Sequence, residues 1–175
     1  MKAGNIVFLT ERKKKPYYRI LISKGIALFT KYPNQKLEDV KVHAAIIYNY
    51  KGIFYVRDMD KDGDDHYTID KYFEKYKGRI EIKINPFLTT TAILNKFNNS
   101  CRNTKVKYDF WNTFFFQIIK TITGKFIGKK TSLHRMCAED ARTQFNILKN
   151  IFSDLEGVNP NAFHNEIMDW EIWKK

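Results

Sequence analysis

The chain has 175 residues, 43% of them hydrophobic and 15% aromatic, which suffices for one domain with a real core. Lys and Arg number 31 against 19 Asp and Glu, a net charge of +12, so an anionic partner such as nucleic acid, an acidic membrane or a cell-wall polymer is compatible with the surface. The longest apolar stretch, around Phe110–Ile119, is broken by Asn112, Thr113 and Gln117, so no membrane span is expected.

Residues Asn5–Leu9 predict a short strand, and the apolar piece Ile6–Leu9 is too short for a signal-peptide core, with the basic run Arg12–Lys15 behind it instead of ahead. A cytoplasmic or phage-associated protein is the expectation. Apolar residues at Tyr17, Ile20, Leu21, Ile26 and Phe29 predict a helix over Pro16–Phe29, weakened at Gly25. His43–Tyr48, Ile53–Met59 and Ile80–Ile84 read as strands, the first two joined through Asn49-Tyr50-Lys51-Gly52 as a hairpin. Ile69–Tyr76 suggests a short helix between the second and third. Longer helical runs follow at Thr89–Asn98, Tyr108–Thr121 and Ala138–Phe152, with turns favoured at Gly124 and Gly128, and the aromatic tail Gly157–Lys175 is expected to dock on the body. No repeat or linker divides residues 1–175, so the reading is a single α+β domain with a small antiparallel sheet packed against helices.

Two cysteines do not make a disulfide framework. A thiol becomes a useful nucleophile as thiolate, which a neighbouring imidazole and the positive end of a helix dipole both favour. Cys137 stands immediately before Ala138-Glu139-Asp140, a helix start with two acids in its first turn, so backbone N–H groups there, that of Cys137 first, can serve an oxyanion. His43 opens a strand that continues Ala44-Ala45-Ile46-Ile47, the composition of a buried central strand, and is the best candidate base. Asp58 ends the partner strand of the hairpin, where it can orient the imidazole. Cys101, in the polar stretch Asn98–Asn103, has no such context and is read as structural. His66, His134 and His164 are read as surface or packing residues. His134 makes a His-x-x-Cys spacing with Cys137, but without a second ligand pair no metal site is assigned.

The segments AGNIVFL, VHAAIIYNYKGIFYVRDM, KYDFWNTFF and HRMCAEDA resemble, in order and spacing from Gly4 to Phe152, the successive motifs of the permuted papain-like hydrolases of the NlpC/P60 superfamily, particularly its YaeF/YiiX-like branch. The resemblance implies a permuted papain-like fold, with His43 as base, Asp58 as orienting acid, Cys137 as nucleophile, Glu139 as the helix-start acid and Tyr108-Asp109 as the pair ahead of it. It also implies thiol hydrolysis of an amide in a peptide, a peptidoglycan stem peptide or a lipid-like molecule, without a cofactor. The chain departs from the pattern at Asn5, where Asp is common, at Val42 and Ala138, where hydroxyl residues are common, and at Asp58, which is shorter than the usual Glu.

Three competing readings stand beside this one. A catalytically silent basic protein, structural or nucleic-acid-associated and for example part of a phage particle, fits the charge, although no nucleic-acid recognition motif accompanies it. An acyltransferase would use the same three residues. The run Asp58-Met59-Asp60-Lys61-Asp62-Gly63-Asp64 matches the first half of a calcium loop, but Ile69 occupies the position of the bidentate glutamate and a strand precedes the loop. The segments Lys31–Asp39 and Lys120–Thr131 are expected as walls of a substrate groove.

Overall fold

A computed structural model describes residues 1–10, 24–25, 27–60, 63–76, 80–108, 119, 122–123, 134–153 and 158–173. Five strands, β1 (Ile6–Leu9), β2 (His43–Tyr50), β3 (Ile53–Asp60), β4 (Gly63–Thr68) and β5 (Ile80–Lys83), form one sheet in the order β4-β3-β2-β1-β5. All its pairings are antiparallel. Helix α1 (Ile69–Lys75) follows β4, α2 (Thr91–Asn103) follows β5, and α3 (Cys137–Leu148) and α4 (Pro160–Glu166) come later. Two short parallel strands, β6 (Lys107–Tyr108) and β7 (His134–Arg135), lead into α3. The architecture is α+β, as the residue pattern predicts.

The β2–β3 hairpin turns on Lys51 and Gly52, both at positive φ (51° and 83°), and closes with Tyr50 opposite Ile53. Two left-handed central residues are what a tight hairpin turn needs to match strand twist. The Asn49 side chain accepts from the Gly52 N–H at 3.1 Å and secures the bend.

Side chains alternate across a strand, and here both faces of the sheet are covered. Ile6, Phe8, Ala44, Ile46 and Tyr48 bury against Ala138, Ala141, Phe145 and Leu148 of α3 and Phe97 and Cys101 of α2. Val7, Leu9, Ala45, Ile47 and Val56 bury on the other face against Tyr72, at the heart of α1, and Tyr76, which caps it. Burial on both sides explains why β2 reads as a continuous apolar run after His43.

The tail covers the β5 edge. Ile84 donates to the Glu171 carbonyl and Trp173 to the Ile82 carbonyl, each at 2.8 Å, and Trp173 stacks on Phe73. Asn159 caps α4 through the Ala162 N–H, with Pro160 at the first helical position. Buried Asn161 then staples α4 to the segment before β2. Its amide donates to the Thr30 carbonyl and to Gln35, and its oxygen accepts from the Lys41 N–H.

The structure differs from the sequence reading in several places. Asp58–Asp60 and Gly63–Asp64 belong to strands and not to an open loop, because β3 continues to Asp60 and pairs with β4, Met59 opposite Asp64 and Asp60 opposite Gly63. Helix α2 runs past Asn98 to Asn103, and α3 begins one residue earlier than expected and stops at Leu148. Most of the expected Pro16–Phe29 and Tyr108–Thr121 helices, with Gly124 and Gly128, lie outside the described residues. Among the described residues no helix is long and apolar enough to cross a membrane.

Candidate active site

His43 is the first residue of β2, paired with Leu9, and shares the face of Ala45 and Ile47 by alternation. Asp58 lies on the same face of the neighbouring strand. The His43 Nε2 and Asp58 Oδ1 atoms are hydrogen-bonded, and both side chains are essentially removed from solvent, at 1% and 0% exposure. Because Nε2 engages the carboxylate, Nδ1 is the nitrogen through which this imidazole can take a thiol proton. The second carboxylate oxygen, Oδ2, accepts from the Tyr76 hydroxyl at 3.1 Å and lies 3.7 Å from Lys75 Nζ.

Cys137 is the first residue of α3, and an N–H at that position has no intrahelical acceptor. Glu139 Oε2 accepts from the Met136 N–H at 2.9 Å and caps the helix start, so this acid has a structural task. Its neighbour Asp140 is held by Arg57 through Nε at 2.8 Å and Nη2 at 3.3 Å, with Arg135 at 3.3 Å. These guanidinium groups neutralise a carboxylate that would otherwise oppose a thiolate one turn away.

Arg57 is itself a hub. Nη1 donates to the carbonyls of Cys101 and Thr104, at 2.6 and 2.8 Å, and lies 2.9 Å from Asp64 Oδ2. It therefore satisfies the C-terminal end of α2 while tying β3 to α3 and β4. Burial alone would lower its pKa, but the carboxylates of Asp140 and Asp64 more than offset that and raise it.

The thiol reaches the sheet from the other side. Cys137 buries with Met59 and Val106, and Tyr108 packs beside them. Met59 follows Asp58 in β3, so the two side chains leave opposite faces. The His43–Asp58 pair thus lies on the α1 face and Cys137 on the α3 face, both at the end of the sheet where β2 begins.

The remaining sequence candidates separate cleanly. Cys101 is buried in α2, its thiol 3.8 Å from Gln144 Oε1, and burial pushes its pKa well up. His66 bonds Tyr48 at 3.0 Å, and His164 bonds Glu81 at 2.7 Å and packs edge-on against Phe8. Asp58 and Asp64 point to opposite faces and are bonded to His43 and Arg57 respectively, so these two carboxylates do not converge as calcium ligands do; Lys61 and Asp62 lie outside the described residues. Among the described residues no group of three or more His, Cys, Asp or Glu is arranged to hold a metal. Asp109 and, apart from 122 and 123, the segment Lys120–Thr131 lie outside the described residues. Lys31–Asp39 is a turn and a short 3-10 helix, Leu37–Asp39.

Two participants escape a reading of residue types along the chain. Tyr76 is signalled only by its spacing of four from Tyr72 on a helical face. Arg57 shows itself as a lone cation inside the apolar strand Ile53–Met59, a position that demands buried partners.

No protein-family model matches the chain, and no curated protein sequence matches it.

Proposed function

We propose that the chain is a thiol hydrolase of the permuted papain-like, NlpC/P60 kind, acting on an amide through Cys137, His43 and Asp58. The observation that carries the reading is the buried His43–Asp58 pair at the sheet end where the helix of Cys137 begins. His43 Nδ1 takes the thiol proton, and Sγ attacks the carbonyl carbon. The oxyanion is met by the Cys137 N–H. His43 returns the proton to the leaving amine as the C–N bond breaks, leaving a thioester. Water, deprotonated by the same nitrogen, attacks the thioester and releases the acid, and the proton returns to sulfur. If an alcohol or amine replaces water, the same residues perform acyl transfer. Peptide, cell-wall stem peptide and lipid-like amides are the substrate classes to screen, the +12 charge favouring an anionic carrier.

One observation favours a second reading, a catalytically silent basic binding protein. Cys137 and His43 are 5% and 1% exposed, a burial that suits packing as well as chemistry. The discriminating experiment is the pH dependence of Cys137 alkylation by iodoacetamide, with buried Cys101 as internal reference, in wild type and His43→Ala. A reaction persisting well below the ordinary thiol pKa of about 8.5 and lost in His43→Ala supports the hydrolase. Equal, slow labelling of both cysteines in both proteins removes it and leaves the binding reading.

A further inference from the structure

We propose that Tyr76 is a positioning residue of this site, holding Asp58 so that its other oxygen faces His43; the proposal rests on the hydrolase reading above. Aspartate is one methylene shorter than glutamate, so a carboxylate that orients an imidazole from the neighbouring strand has little slack. Asp58 sits diagonally across the hairpin from His43, since Ile46 opposes Arg57 and the register continues toward the strand ends. A diagonal pair of this kind is bridged only when both side chains are extended toward each other.

Rotation of the carboxylate about its own axis is then the freedom that matters. Tyr76 opposes that rotation by donating to Oδ2 at 3.1 Å, opposite the oxygen bonded to His43. Its ring is fixed in turn, 7% exposed as a residue and packed on Tyr72 at 4.7 Å between centroids. Lys75, the last residue of α1, competes for the same oxygen. Its Nζ lies 3.7 Å from Oδ2, donates to the Tyr67 hydroxyl at 2.8 Å and rests over the Tyr67 ring at 4.1 Å. Without the phenol, this ammonium is placed to draw the carboxylate toward α1 and away from the imidazole.

The experiment uses the full chain and two readouts, the His43 imidazole titration by NMR and the pH profile of Cys137 alkylation. In Tyr76→Phe, the His43 titration shifts from its wild-type midpoint, and alkylation below pH 7 slows about tenfold, as expected when one hydrogen bond to a buried charge is lost. Replacing Lys75 as well, in Tyr76→Phe/Lys75→Met, restores part of both. If wild-type Cys137 is activated and Tyr76→Phe matches it in both readouts, the positioning role is overturned while the hydrolase reading stands. If wild-type Cys137 is not activated, the hydrolase reading fails and the positioning role with it, whatever the His43 titration does. Should Tyr76→Phe fail to fold, 3-fluorotyrosine at position 76 keeps the hydroxyl. Its fluorine resonance follows the His43 titration, and a resonance flat across that range overturns the proposal.

Discussion

Arg57→Met is the most informative single change to the scaffold. The methionine fills much of the same volume but leaves the Asp140 carboxylate, 2% exposed as a residue, without its bidentate partner, and strips a donor from the Cys101 and Thr104 carbonyls. Removing one member of a buried ion pair costs about 3–5 kcal/mol, and the two carbonyls add roughly 1 kcal/mol each. Arg135, 3.3 Å from Asp140 and only partly buried, returns a little of this. The expected loss is about 4–6 kcal/mol, comparable with the whole stability of many domains at about 5–15 kcal/mol. Urea unfolding followed by tryptophan fluorescence measures it as a shift in midpoint. In Arg57→Met/Asp140→Leu the stranded charge is gone, so about 2–3 kcal/mol should return relative to the single variant. A single-variant loss under about 1 kcal/mol, or a double variant no better than the single, would refute the view that Arg57 exists to neutralise Asp140 and close α2.

Acid should weaken a second ion cluster. Burial alone would raise the Glu81 pKa, but hydrogen bonds from His164 at 2.7 Å and Lys41 at 2.6 Å lower it to about 2 from an ordinary 4.5. A depressed carboxylate stabilises the fold above the unfolded value and loses that contribution as pH falls from about 4.5 toward 2. After discounting for solvent screening, roughly 1–2 kcal/mol should disappear across this window, and Glu81→Gln should flatten that part of the stability profile. Backbone freedom gives a paired test. Gly4 and Gly52 both have positive φ, but a Cβ at Gly4 meets Leu148 and Asn85, whereas one at Gly52 meets open space. Gly52→Ala should cost about 1 kcal/mol for strain alone and Gly4→Ala about 2–4 kcal/mol because overpacking is added. Equal losses in thermal unfolding would contradict the packing argument.

The parts of the fold legible in the residues are those with strong local signals. The Lys51-Gly52 turn between two apolar runs marks the hairpin, and the Cys137–Leu148 helix announces itself by the stripe Ala138, Ala141, Phe145 and Leu148 that buries on the sheet. Strand β4 was hidden because Gly63-Asp64-Asp65-His66 has the composition of a turn. It is held at the sheet edge by tertiary contacts, chiefly Arg57 with Asp64 and Tyr48 with His66. Tertiary context overriding weak intrinsic preference is the usual reason for such a miss. The resemblance to a calcium loop shares Asp64 with this strand, and the hairpin sends Asp64 and Asp58 to opposite faces.

The His43–Asp58 contact, by contrast, follows from counting once the turn is known. Tyr50 opposite Ile53 fixes the register, which sets Asp58 diagonal to His43 and on the same face, a relation independent of any particular loop. The position of Cys137 obeys a different constraint, because it is carried by a helix whose apolar stripe selects a face for its own burial. That stripe docks on Ala44 and Ile46, so the thiol arrives beside Met59. Ala44 and Ala45, one on each face directly after His43, keep the strand thin at that end. Bulk at Ala44 would push the start of α3 away from the sheet, whereas bulk at Ala45 would press on the His43–Asp58 side. In the proposed mechanism those two changes act differently: Ala44→Val should slow Cys137 alkylation without moving the His43 titration, and Ala45→Val should disturb the titration itself.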